Sequence, residues 1–457
     1  MPNSRMPLDS EENYRRMTTT PVRRLILSLA APTITTMLVT AFYNMVDTMF
    51  VSRLGTSASA AVGVVFSLMA IIQAIGLLFG QGSGNVVARL LGAKERQRAD
   101  EVFSTAFFTS MGLGLLLTIF GLLFLNPFMR LLGSTETILP YAADYAGTIL
   151  VGAPYMAASF TMNNNLRSEG KAVLGMVGIV SGAVVNVVLD PIFIFVLDLG
   201  IRGAALATII SQMVSFLILL SQFLSHRSNL HLSVRHVRFE RGLFGDMMQV
   251  GLPSFLRQVL GSIAGICMNL FAGPFGDAVI AAMTIVTRVT MFLNAALVGF
   301  GQGFQPVAGF SWGARKIDRL RDAFRFCLKT GVVAFLAIGA VCFAAARWVM
   351  LAFIADPTVV EVGTLALRFQ CVLMPIQAVN ILSGMLFQAT GKGGRSSIIA
   401  LARQGIFFIP LIAVLSHLLG VLGIQLSQPI ADVLTFLLAG SMTLRYWREL
   451  QAMPSVS

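Results

Sequence analysis

The chain's 457 residues are 56% apolar and only 12% charged, and its mean hydropathy is +0.79, which leaves too few polar side chains to coat a water-soluble globule. Lipid is therefore the solvent for most of the chain. A helix crosses the hydrocarbon core with about 20 apolar residues, so this length allows roughly a dozen spans with short loops.

The predicted elements begin with a polar, basic N-terminal tail, 1–20, which lacks the short apolar core and small-residue cleavage site of a signal peptide and is expected to be loosely held. Six apolar runs follow in a first lobe, 21–225: Leu25–Val51, Ala58–Gly80, Phe103–Leu125, Tyr141–Thr161, Val173–Leu197 and Gly203–Leu224. A basic linker, 226–243, leads to six more in a second lobe, 244–449: Phe244–Gly273, Ala278–Gly303, Phe324–Ala346, Val359–Leu382, Ser396–Leu419 and Gly423–Trp447. A short tail, 450–457, ends the chain.

Of the 33 Lys and Arg, 26 fall before the first span, in the connections after even-numbered spans and at the C-terminus, counting those just inside the helix ends, whereas Arg53, Arg130, Arg202 and Arg347 fall on the other side. The positive-inside rule then puts both termini in the cytoplasm, which requires an even number of spans. The same asymmetry accounts for the net charge of +12 without a nucleic-acid partner. Cys267, Cys327, Cys342 and Cys371 are scattered through apolar runs without CxxC spacing, and His226, His231 and His236 crowd one linker at a spacing unlike a metal site. Neither set predicts a disulfide framework or a bound metal.

Sliding the sequence along itself by 221 residues brings a set of landmarks into register. Pro32 falls on Pro253, Gly80-Gln81-Gly82 on Gly301-Gln302-Gly303, Gly92-Ala93-Lys94 on Gly313-Ala314-Arg315, Pro154 on Pro375 and Gly170-Lys171 on Gly391-Lys392. One residue is then lost, and Gly200 meets Gly420. Because six is even, both copies enter the membrane in the same direction. The expected fold is an all-α integral membrane protein of twelve transmembrane helices in two parallel-repeat six-helix bundles, with a cavity between them.

The phosphate-binding pattern GxxxxGK[ST] occurs nowhere, so the energy source is expected to be an ion gradient rather than ATP. A membrane-embedded transferase would need a DDxxD cluster or a His/Asp pair near the interface, and neither occurs, so no enzyme and no cofactor are expected. The run Gly80-Gln81-Gly82-Ser83-Gly84 superficially resembles a dinucleotide loop, yet it follows no strand and reads as close helix packing.

An acidic residue inside a span costs about 2.5–3.5 kcal/mol on insertion scales, so each one is a candidate for function. Asp47 in the first span and Asp190 in the fifth both sit roughly 6–12 Å below the outer face. Asn186 lies one turn below Asp190, and Thr208 in the sixth span reaches the same depth. Two carboxylates repel when both are ionised in low dielectric, so the group is suited to binding and releasing a proton or cation; a cluster that merely bonds helices together is the alternative. The second copy has Met268 and Pro410 at the corresponding places. There Asp432 stands apart, and Arg257, Arg288 and Arg368 can pair with it, snorkel or hold an anionic substrate.

At these residues the chain resembles the multidrug and toxic compound extrusion (MATE) family of the multidrug/oligosaccharidyl-lipid/polysaccharide superfamily. The likeness covers nearly the whole chain and rests on Tyr43-Asn44-Met45-Val46-Asp47-Thr48, Glu169-Gly170-Lys171, Asn186-Val187-Val188-Leu189-Asp190-Pro191, Gly203-Ala204-Ala205-Leu206-Ala207-Thr208 and Gly303-Phe304-Gln305-Pro306. The resemblance implies an antiporter of the cell inner membrane that exports lipophilic, often cationic compounds in exchange for protons or sodium ions. It also implies Asp47, Asn186, Asp190 and Thr208 as the cation site. The acidic residues that another branch of the family carries in spans seven and ten are replaced here by Arg257, Gln258 and Gln377. A lipid-linked oligosaccharide flippase is the alternative, in which the three intramembrane arginines hold a pyrophosphate.

A substrate pocket is expected at Tyr43, Met162, Asn163 and Asn164, in the first and fourth spans of the lobe that holds the carboxylates, because aromatic, thioether and amide groups suit varied apolar cations. Pro32, fifteen residues before Asp47, is a candidate hinge, since proline removes a helix hydrogen bond. Pro253 at the matching place fits a purely structural role equally well. The protein is expected to be a monomer.

Overall fold

Long apolar runs in lipid can satisfy their backbone groups only within the segment, and each becomes a helix. The computed structural model describes residues 8–54 and 56–454. The first half of the chain forms α1 (Leu8–Thr19), α2 (Val22–Ser52), α3 (Thr56–Gly92), α4 (Arg96–Leu123), α5 (Leu125–Leu131), α6 (Leu139–Ser168), α7 (Ala172–Pro191) and α8 (Gly200–Leu224). The second forms α9 (Arg241–Ala272), α10 (Asp277–Gly313), α11 (Ile317–Phe353), α12 (Pro357–Ala389), α13 (Gly393–Leu401), α14 (Ile409–Leu419) and α15 (Val421–Ala452). Two π-helical turns, Ile192–Val196 after α7 and Ala402–Phe408 between α13 and α14, interrupt the apolar runs.

The fold is an all-α, multi-pass membrane architecture: among the described residues, 11 helical units are long and apolar enough to cross a bilayer. The remaining expected span, Tyr141–Thr161, coincides with α6, which has 30 residues but is less apolar because it carries Asp144, Asn163, Asn164, Asn165 and Arg167. Helices α3 and α10 continue well past the expected ends at Gly80 and Gly303. Their glycine runs lie inside helices and pack against neighbours, as a Cβ on Gly82 would stand 2.3 Å from the Met247 carbonyl oxygen. The loosely held tail is corrected for residues 8–19, which form α1. Met17 is buried in one core cluster with Ile26, Phe304 and Tyr446, and Asn13 Nδ2 donates to the Glu169 carbonyl at 2.8 Å. Residues 1–7 and 455–457 of the expected tails lie outside the described residues.

The repeat is written in the backbone. Lys94 and Arg315 both adopt left-handed φ values, 63° and 58°, and Gly170 and Gly391 do likewise at 89° and 78°. These are the turns that send each chain copy back into the membrane, and glycine meets the left-handed conformation without steric cost.

The two halves meet at the end of the molecule that carries α1 and the last turns of α15, where Met17 and Leu450 share a core. The contacts there are reciprocal. A Cβ on Gly92 of α3 would lie 2.4 Å from the Phe310 carbonyl oxygen of α10, and one on Gly313 of α10 would lie 2.0 Å from that of Arg89 on α3. Likewise Gly303 of α10 lies against Ala30 of α2, and Gly251 of α9 against Leu78 of α3. Backbone touching backbone at glycine closes this end. Toward the opposite end the outermost hydrogen bonds between the halves are Thr33 Oγ1 to the Gly299 carbonyl at 2.6 Å and Gln258 Nε2 to Gln73 Oε1 at 3.0 Å. Beyond them a Cβ on Gly261 or Gly265 of α9 would meet nothing within 4 Å.

The basic linker is tied down at the closed end. Buried Glu169 accepts from Ser228 Oγ at 2.8 Å and from the Asn229 N–H at 2.6 Å, and the His231 N–H donates to Asp100 Oδ1 at 2.8 Å. Burial pushes the Glu169 carboxyl up to about 7, against the lowering influence of Lys171 and of its two donors.

Candidate functional site

Three pairs of polar residues, each pair one helical turn apart, project from neighbouring helices of the first half: Tyr43 and Asp47 on α2, Asn186 and Asp190 on α7, Thr208 and Gln212 on α8. Asp190 is fully buried and Asn186 is 2% exposed. Asn186 Nδ2 donates to Asp190 Oδ1 at 3.3 Å, and the Asp190 and Asp47 carboxyl groups are near enough for their charges to act on one another. Two ionised carboxylates repel and have no donor to offer one another, so the pair suits a shared proton or a bridging cation.

The surrounding oxygens point the same way. Asp47 Oδ1, Asn186 Oδ1 and Asp190 Oδ2 are buried and receive no hydrogen bond from any described residue. An unsatisfied buried polar atom costs about 1–3 kcal/mol, and oxygen is the donor atom that protons and hard cations take. Tyr43 faces Gln212, and Tyr145 of α6 faces Thr208 while lying within electrostatic range of both carboxylates. Thr208 Oγ1 donates to the Ala204 carbonyl at 3.0 Å.

Proline shapes the end of α7. Pro191 has no N–H to give the Val187 carbonyl, and the ladder slips into the π-helical turn, where the Leu197 N–H reaches the Ile192 carbonyl at 2.9 Å. Pro32, in contrast, sits within an unbroken α2.

A cavity of about 40 Å³ adjoins the carboxylates, lined by Thr40, Tyr43, Phe160, Gly182, Asn186 and Gln212 among others. It is far below the roughly 300–1,000 Å³ of drug-sized pockets. Of the four expected pocket residues, Tyr43 borders it and the other three do not. Met162 is buried with Phe79, Phe103 and Leu166, Asn164 bonds Arg167 and the Phe160 carbonyl, and Asn163 abuts Gly175. Their helix face turns toward α3 and the first turn of α7, where amides serve packing at glycine.

In the second half, Asp432 is fully buried and pairs with Arg403, not with Arg257, Arg288 or Arg368; Arg403 Nε lies 2.7 Å from Asp432 Oδ1. The three arginines expected to act together have separate surroundings. Arg368 lies 5.2 Å over the Phe343 ring, Arg288 is exposed, and Arg257 faces Ser254 and Arg403. Sequence reasoning missed Tyr145, Gln212 and Arg403. Gln212 carried a usable signal, its position one turn beyond Thr208.

Comparison with known proteins agrees with this arrangement. The MatE family model matches residues 32–192 and again 253–435. The multidrug export protein MepA of Staphylococcus haemolyticus is 28% identical over 417 residues, covering 91% of this chain and 92% of that protein. Among solved structures, the outward-facing conformation of a multidrug resistance MATE family transporter superposes with a TM-score of 0.90 at 27% identity, over 98% of this chain and 100% of that one. A MATE structure in the bent conformation gives 0.89 at 27% identity, with coverage of 98% and 100%. With two copies of the family's unit in register with its own internal repeat and one fold along its whole length, the chain belongs to the MatE family and is a multidrug transporter of the MOP superfamily, not an enzyme.

Proposed function

We propose that the chain drives its multidrug efflux by exchanging lipophilic, cationic compounds for protons or sodium ions at Asp47, Asn186 and Asp190, with Thr208 and Tyr145 supporting the site. The observation that carries this reading is the set of three buried oxygens without donors, one each on Asp47, Asn186 and Asp190. In the mechanism, the pair holds a proton or cation in one state and an export substrate's positive charge in the other, so the two compete. Loss of the shared proton restores repulsion between Asp47 and Asp190, pushing α2 and α7 apart and opening the small cavity beside Tyr43 for substrate. Rebinding of the ion draws the helices together and expels the substrate, with Pro32 as the point where α2 bends at low cost.

The architecture proposed is twelve spans in two six-helix bundles, α6 completing the first, with 21–225 and 244–449 as the lobes. With the basic loops on the cytoplasmic side of a cell inner membrane, the glycine-sealed end is the inner gate and a cleft between the halves faces outward. Met162, Asn163 and Asn164 would reach substrate only after rearrangement of α6; Tyr43 is the pocket residue the geometry favours. The test is transport of a cationic dye by purified protein in liposomes under an imposed proton gradient and, separately, a sodium gradient. Movement driven by at least one is expected, and dye movement that needs ATP and ignores both gradients overturns the reading.

A further inference from the structure

The second half carries the opposite charge to the first at its buried polar site. Asp432 is saturated: Oδ1 takes Arg403 Nε at 2.7 Å and Gln428 Nε2 at 3.1 Å, and Oδ2 takes Gln377 Nε2 at 2.9 Å. Arg257 of α9 stands near enough to Arg403 for their like charges to oppose each other. Its hydrogen bond is a long one, Nη2 to Ser254 Oγ at 3.5 Å, and it forms no ion pair among the described residues. Two guanidinium groups therefore face one fully used carboxylate, leaving one positive charge without a counterion inside a membrane span, where such a charge is costly and marks a site.

Its position gives that charge a use. Gln258, the next residue on α9, makes the outermost hydrogen bond to α3, so Arg257 lies at the level where bonded contacts between the halves end. Arg403 keeps 20% of its side chain exposed and emerges from the π-helical turn Ala402–Phe408. Such π-helical turns re-aim side chains at functional sites. The first half carries buried carboxylates and the second an unpaired guanidinium.

We propose that Arg257, backed by Arg403, is a subsite for the anionic group of a substrate, a carboxylate above all, so that the cleft receives zwitterions with their cationic end toward Asp47 and Asp190. A guanidinium holds a carboxylate through paired, charge-assisted hydrogen bonds, which a neutral ester cannot reproduce. The proposal rests on the transport reading only in taking the cleft as the substrate's place, and its test needs no ion gradient.

The experiment is equilibrium binding of a rhodamine bearing a free carboxylate, and of its methyl ester, to the purified full-length protein in detergent. The wild type should favour the free carboxylate by on the order of tenfold. Arg257→Gln should abolish that preference while leaving ester affinity within about twofold, and Arg257→Lys should retain part of it. Ester binding also reports that the variant is folded. Equal loss of both dyes in Arg257→Gln, or an unchanged preference, overturns the proposal. So does a wild type that binds the ester as tightly as the acid, a result that stands even where the Gln variant does not fold. Failure of gradient-driven transport with the preference intact would count against the coupling mechanism alone.

Discussion

Replacing Asp47 by Asn removes one charge from the carboxyl pair and supplies an amide N–H that can donate to Asp190. Taking ~4 Å between the charges and an effective dielectric of ~20, the repulsion between the ionised carboxylates is about 4 kcal/mol. At about 1.4 kcal/mol per tenfold, that is nearly a thousandfold bias between two packings of α2 against α7. The Asn variant mimics the protonated pair permanently and should hold the helices together at every pH. Insertion is not the difficulty, because the lost charge lowers the cost of placing α2 in lipid. Purified Asp47→Asn protein in liposomes should therefore lose at least about tenfold of its gradient-driven dye transport, at unchanged reconstitution efficiency. Transport at the wild-type rate would refute both the site and the repulsion argument.

Glu169→Gln should flatten the dependence of melting temperature on pH. The folded carboxyl titrates near 7, above its ordinary 4.5, so the folded state binds the proton more tightly, and its stabilising contribution is full below about 4.5 and lost as pH rises through about 7. A wild type and variant with parallel profiles in detergent would contradict this. Gly251→Ala places a Cβ 2.0 Å from the Leu78 carbonyl oxygen, and overpacking of this kind costs about 1–3 kcal/mol. Spin labels at Gln97 and Lys392 should then report longer distances across the closed end, and an unchanged distribution would show that this contact does not hold the gate. Pro32→Ala restores a helix hydrogen bond in α2 and should reduce the pH-dependent change in distance between the outer ends of α2 and α7; a change as large as the wild type's over pH 5 to 8 would remove the hinge.

Much of the fold was legible because lipid leaves the backbone few choices. Apolar length gave the spans, and the repeat paired Gly170 with Gly391, which the fold places in matching left-handed turns. Asp47, Asn186 and Asp190 stood out because ionisable and amide groups are expensive where they lie. Helix α6 was harder to read since its asparagines and Arg167 are paid for by contacts with α3 and α10 that only the folded chain makes. Arg403 lies within the expected span Ser396–Leu419 near its basic end, and the π-helical turn that carries it beside Asp432 leaves no periodicity signal. Tyr145 reads as an apolar interface residue until Thr208 is brought beside it. Helix α1 carries too few apolar residues to announce itself; Met17 and Tyr14 pack it against the core.

If ion and substrate compete at one carboxyl pair, binding of one must release the other. The direct measurement is the number of protons, and of sodium ions, released when a monocationic dye binds the purified protein in weakly buffered detergent solution near pH 7. About one released cation per bound dye is expected for the wild type, and none for Asp47→Asn or Asp190→Asn. Full dye binding by the wild type with no ion released would contradict that competition.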